Sequence, residues 1–127
     1  MSACRLPVHD VFQEQYLAFA ECHPDSLDSL LTQLKKSHDV PTSGKPLHDI
    51  ANPKLRGRLR RLWVGRGGFR YVYFYDPKKS IVLPIFISMT PRAKFDWGSA
   101  PFEEIADRIV ADLRPGREDH FRYLQIP

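Results

Sequence analysis

The chain has 127 residues, 43% of them hydrophobic, which suffices for one core without staples and predicts a single domain over 1–127. Two cysteines without CxxC spacing, Cys4 and Cys22, speak against a disulfide scaffold or zinc knuckle. The absence of a basic-then-apolar leader and of an eighteen-residue apolar run speaks against export or a membrane span, so the expectation is a cytoplasmic protein with no metal or other cofactor.

The net charge of +4 conceals an asymmetry. Eleven of the nineteen Lys and Arg residues lie between Lys54 and Lys94, against the single acid Asp76, whereas residues 1–53 and 95–127 each hold four bases and seven acids. A concentrated basic field attracts polyanions, and the interleaved aromatics Phe69, Tyr71, Tyr73, Phe74 and Tyr75 offer stacking surfaces. RNA or DNA contact is the first functional reading; the ordinary alternative is a solvated basic face of a small sheet.

In chain order, Val8, Phe12, Tyr16 and Phe19 keep apolar groups on one stripe and predict a helix running to about Glu21, stopped by His23-Pro24. Asp25 or Ser26 can cap a second helix carrying Leu27, Leu30, Leu31 and Leu34, with Lys35 and Lys36 at the end where cations suit the dipole. The stretch from Asp39 to Pro53 is rich in Pro, Gly, Ser and His and reads as a surface loop. Three strands follow, Leu59 to Val64, Phe69 to Tyr75 and Ile81 to Met89. The turns Gly65-Arg66-Gly67-Gly68 and Asp76-Pro77-Lys78-Lys79 join them as antiparallel hairpins. Pro84 has no ladder donor and belongs at a bulge or an unpaired position. A last helix starts near Ser99 or Ala100, carries Phe102, Ile105, Ala106, Ile109, Val110 and Leu113 on one stripe, and ends at Pro115-Gly116. Residues 114–127 read as a polar tail without an assigned place.

This order of elements, with the segments Lys54-Leu55-Arg56-Gly57, Arg61 to Gly65, Gly68-Phe69-Arg70-Tyr71-Val72-Tyr73 and Pro91-Arg92-Ala93-Lys94, resembles the RelE/ParE toxin superfamily of bacterial toxin–antitoxin systems over roughly residues 7–113. The resemblance implies an α+β fold of the RelE-like microbial ribonuclease kind. In it two N-terminal helices pack on one side of a small twisted antiparallel sheet, and a short C-terminal helix follows. It also implies two functional branches, messenger-RNA cleavage in the ribosomal A site or inhibition of DNA gyrase, between which a shared fold does not choose. Its partners would be a cognate antitoxin, in a toxin–antitoxin hetero-oligomer, together with the ribosome and messenger RNA.

Metal-free RNA cleavage requires an activated 2′-OH, charge stabilisation at the pentavalent phosphate and a proton for the 5′-oxygen. By the resemblance, Arg70 is the strand arginine suited to clamp phosphate, Arg92 the arginine after the last strand, and Arg61, nine positions before Arg70, a further cation for the transition state. Arginine is a poor base, so Lys94, or Tyr71 or Tyr73 if the field depresses it, is the expected proton carrier. Trp63 stands where the prototype is basic, and a stacking platform for a nucleobase replaces that charge. Lys54, Arg56, Arg58, Arg60 and Arg66 complete the expected RNA-binding set. Each residue has an ordinary reading as well: packing for Trp63 and the tyrosines, a salt bridge to a helix carboxylate for Arg70, a solvated face for the remaining cations. The five histidines are scattered, and among them only His48 in the loop is a candidate base. Convergence of Arg61, Arg70, Arg92 and Lys94 favours the nuclease over the gyrase inhibitor, because a protein-binding inhibitor has no need of a phosphate cradle.

Overall fold

The computed structural model describes residues 4–48, 50–66, 68–89 and 100–127. They form an α+β structure with three α-helices and antiparallel strands. In chain order the elements are β1 (Cys4–His9), α1 (Asp10–Cys22), α2 (Leu27–Asp39), β2 (Lys45–Pro46), β3 (Leu59–Val64), β4 (Phe69–Asp76), β5 (Ile81–Ile87), α3 (Ala100–Ala111) and β6 (Phe121–Ile126). Strands β2-β3-β4-β5 form one antiparallel sheet in that order, and β1 pairs antiparallel with β6.

The chain start differs from the helical reading. Cys4, Leu6 and Val8 are buried at alternate positions, the period of a strand, so Val8 lies in β1. Val8 is also four residues before Phe12, a spacing that a helix satisfies equally well. His9 closes the strand and caps α1, its Nδ1 accepting the Val11 N–H at 3.0 Å. The helix buries Phe12 and Phe19 and ends where the His23 N–H bonds Phe19 C=O and Pro24 can donate no further helical bond. A 3-10 turn, Pro24–Ser26, leads into α2, where Ser26 takes the cap position without a side-chain bond.

The 39–53 stretch is more than a surface loop. Lys45 and Pro46 pair with Arg61 and Arg60, while Leu47 and Ile50 are buried. Tyr73 fastens this segment, its hydroxyl donating to Pro41 C=O at 2.6 Å and accepting the Gly44 N–H at 2.9 Å.

Both faces of the larger sheet are covered in part. Leu62, Val64, Phe69, Tyr71, Tyr73 and Ile87 pack with Phe12, Phe19, Leu30 and Leu34 of the first two helices and with the inner residues of β1 and β6. Leu59, Val72, Phe74, Leu83 and Ile85 pack with Ala106 and Ile109 of α3 and with Leu47, Ile50 and Leu55. Pro84 sits at the expected irregularity. Val72 faces Phe86 and Tyr73 faces Pro84, so Ile85 is the extra residue of a bulge. One inserted residue shifts the alternation by one, which puts Leu83 and Phe86 with the α3 core and Ile87 with the opposite one.

The C-terminal residues are likewise a correction to the tail reading. Strand β6 pairs along the full length of β1, from Cys4 opposite Ile126 to His9 opposite Phe121. Only Ile126 of β6 is fully buried, so the segment lacks the regular apolar alternation that marks a strand in a sequence. No helix of the described residues is long and apolar enough to cross a membrane.

Candidate nucleic-acid interface

On β3, Arg61 and Trp63 are two residues apart and therefore share a face; Arg70 of β4 is directly opposite Trp63 and points the same way. Lys45 of β2 is opposite Arg61 on that face. The face is the one covered by α3 further along, at Leu59, Val72 and Phe74. Beyond that cover it presents Trp63, 44% exposed, with the guanidinium carbons of Arg61 and Arg70 at 5.1 and 5.0 Å from its ring. Such cation–π contacts fix both cations beside an aromatic surface that remains open to solvent.

Arg70 is held by Ser88, the residue that follows β5. Its N–H donates to the Ser88 hydroxyl at 2.8 Å, and its C=O accepts from Ser88 N–H at 2.9 Å. Partial burial, and then the neighbouring charge of Arg61, lower the Arg70 pKa from its ordinary value, although a guanidinium remains charged in proteins. Two cations kept this close attract a shared anion more strongly than either alone. His23 Nε2–H donates to Met89 C=O at 2.7 Å and secures the chain just past β5. Residues 90–99 follow directly, so Arg92 and Lys94 lie outside the described residues.

The remaining expected contacts separate into different roles. Arg56 donates to Ile50 and Ala51 carbonyls at 3.0 and 3.1 Å, Arg58 to Lys54 C=O at 3.0 Å, and Arg60 to Thr42 and Gly44 carbonyls at 3.3 and 2.8 Å. These three guanidinium groups brace the chain that leads into β3. Lys54 and Arg66 are exposed, Arg66 at the β3–β4 hairpin tip, and His48 is exposed on the loop after β2.

Tyr71 is a correction. It is fully buried on the opposite face, its hydroxyl 2.9 Å from the Ser37 hydroxyl, which itself donates to Leu34 C=O. Burial raises its pKa instead of the basic field lowering it. It therefore offers neither a ring face to RNA nor a proton carrier. Tyr73 is buried too, and burial is the leading cause of its raised pKa. The alternating pattern of β4 carried this signal, since Tyr71 and Tyr73 share the parity opposite to Arg70.

A second cluster of side chains with ligand-type atoms, His9, Asp112 and His120, was not legible in the sequence. More than a hundred residues separate its first member from the other two. No family model matches the chain, and no curated protein or solved structure matches it.

Proposed function

We propose that the protein is a RelE/ParE-like toxin of the ribonuclease branch, a ribosome-dependent endoribonuclease that cuts messenger RNA in the A site and is neutralised by a cognate antitoxin. The observation that carries this reading is the Arg61–Trp63–Arg70 group on one open sheet face. Within the β1–β6 frame, the order α1, α2, then the β3–β4–β5 meander, then α3 supports the finer assignment to a RelE-like ribonuclease fold.

In this mechanism the exposed face of Trp63 stacks a nucleobase, which sets the adjacent phosphate against Arg61 and Arg70. The ribose 2′-oxygen attacks phosphorus and gives its proton to a base, while the bond to the 5′-oxygen breaks and that oxygen takes up a proton. The products are a 2′,3′-cyclic phosphate and a 5′-OH. The two guanidinium groups stabilise the added negative charge of the pentavalent phosphate, where a well-aimed donor contributes about 3–4 kcal/mol. Proton transfer falls to Lys94, since Tyr71 is enclosed. DNA has no 2′-OH and survives.

Burial of Tyr71 also supports a second reading, an RNA-binding module without catalysis. Primer extension on a defined messenger RNA, with and without programmed ribosomes, distinguishes the two. The nuclease gives ribosome-dependent cuts at A-site codons, and Arg70→Ala lowers their rate by about 100-fold or more. Salt-sensitive RNA binding with no cuts selects the non-catalytic module. Intact messenger RNA under conditions where the protein still arrests growth, with DNA breaks that depend on gyrase, selects the gyrase inhibitor.

A further inference from the structure

The start of α1, the end of α3 and the segment just before β6 meet around a pocket of about 440 Å³. His9, Asp112 and His120 each direct a ligand-type atom into one small volume, with none of these atoms more than 4.8 Å from another. His9 is buried, and the other two are partly exposed. Asp10 and Glu14 bring further carboxylates to the pocket wall, although Asp10 is engaged by Arg122 at 2.7 Å.

We propose that His9, Asp112 and His120 form a binding site for a divalent transition ion of the Zn²⁺ class, which ties the C-terminal strand to α1 and α3. Two imidazoles and one carboxylate suit Zn²⁺ and its first-row neighbours and are a poor match for Mg²⁺ or Ca²⁺, which take oxygen donors. Bonds of about 2.0–2.2 Å to a tetrahedral ion place its donors roughly 3.3–3.5 Å apart, so side-chain shifts of about an ångström, which part His9 Nε2 from Asp112 Oδ2, admit the ion. The proposal departs from the expectation, drawn from the cysteine spacing, that the chain carries no metal.

Hydrogen bonds hold the donors together when protons occupy the site. Val11 N–H donates to His9 Nδ1, which puts the His9 proton on Nε2, and that proton bonds Asp112 Oδ2 at 2.6 Å. Arg117 Nη1 donates to His120 Nε2 at 3.3 Å, and the two histidine rings are stacked at 5.9 Å. A metal ion entering the cluster displaces both interactions. The His9 proton moves from Nε2 to Nδ1 with loss of the Val11 cap bond, and Arg117, which is partly exposed, swings into solvent. Proton count is conserved, and Asp112 enters as the carboxylate, the form its bond from His9 favours.

The test is titration of the full-length, untagged, chelator-treated protein with Zn²⁺ against a chromophoric chelator, beside His120→Gln, Asp112→Asn and Arg117→Gln. The expected result is one Zn²⁺ per chain, bound at least about 10-fold more weakly by His120→Gln and Asp112→Asn. Arg117→Gln, which removes a competing cation and a competing donor, binds at least as tightly as the parent. Co²⁺ in place of Zn²⁺ gives weak visible bands without the intense thiolate band that binding at Cys22 would produce. Equal binding by the parent and His120→Gln overturns the proposal, as does no binding at all. Equal loss in Arg117→Gln and His120→Gln also overturns it, because the cluster is then a hydrogen-bond network only. Circular dichroism of each variant separates loss of the site from loss of the fold.

Discussion

At the scale of single residues, position on one or the other face of β4 decides chemistry. Arg70 and Tyr71 are neighbours in the chain, yet Arg70 reaches the open face beside Trp63 while Tyr71 lies in the core beneath α2. Replacing Trp63 by Ala is expected to weaken binding of short single-stranded RNA by about 1–3 kcal/mol per stacked base, with Trp63→Phe recovering part of it; fluorescence anisotropy measures the loss. Because the indole is substantially exposed, the melting temperature should change little. Tyr71 has the opposite signature. Its folded-state pKa is raised by burial, so the stability it supplies is complete below the ordinary tyrosine value of about 10 and is lost as pH rises above it. Urea unfolding followed from pH 8 to 11 should show stability falling with pH, and Tyr71→Phe should flatten that fall. The same variant should cost about 1 kcal/mol at neutral pH through the lost Ser37 bond.

At the scale of elements, the sheet depends on devices that stop or redirect strands. The outer side of β5 is met by Gln15 of α1, whose amide donates to Ile85 C=O at 3.0 Å and accepts the Ile87 N–H at 3.1 Å. One side chain thus plays the part of a neighbouring strand exactly where the bulge and its return to regular pairing leave ladder groups unpaired. Gln15→Ala is expected to cost about 1–3 kcal/mol by leaving those two groups without their bonds, which chemical denaturation would register. It should also increase self-association, measured by sedimentation, since an uncovered strand edge invites pairing. A variant with unchanged stability and unchanged association would show that water replaces the Gln15 amide at no cost.

At the scale of the whole molecule, the two chain ends are joined. Among the described residues β1 has β6 as its ladder partner, and both contribute to the core that packs under α1 and α2. Deleting residues 121–127 should therefore abolish cooperative thermal unfolding, monitored by circular dichroism. Retention of a sharp transition near the parent temperature would restore the tail reading.

The sequence by itself determined the three helices, the β3–β4–β5 meander with its turns and an irregularity at Pro84, because those features arise from local periodicity and backbone chemistry; the register made that irregularity a bulge. The family resemblance singled out Arg61, Arg70, Arg92 and Lys94, with Trp63 as a stacking platform; the β3–β4 register is what places Arg61, Trp63 and Arg70 on one face, while Arg92 and Lys94 lie outside the described residues. Tertiary structure alone decided the rest. Pairing of β1 with β6 joins segments more than a hundred residues apart, one of them nearly without buried side chains, so no local pattern announces it. Alternation along β4 already sets Tyr71 opposite Arg70, but which of the two faces is enclosed, and the meeting of His9 with Asp112 and His120, depend on which faces pack together. That choice is made by the whole core and not by any one stretch of chain.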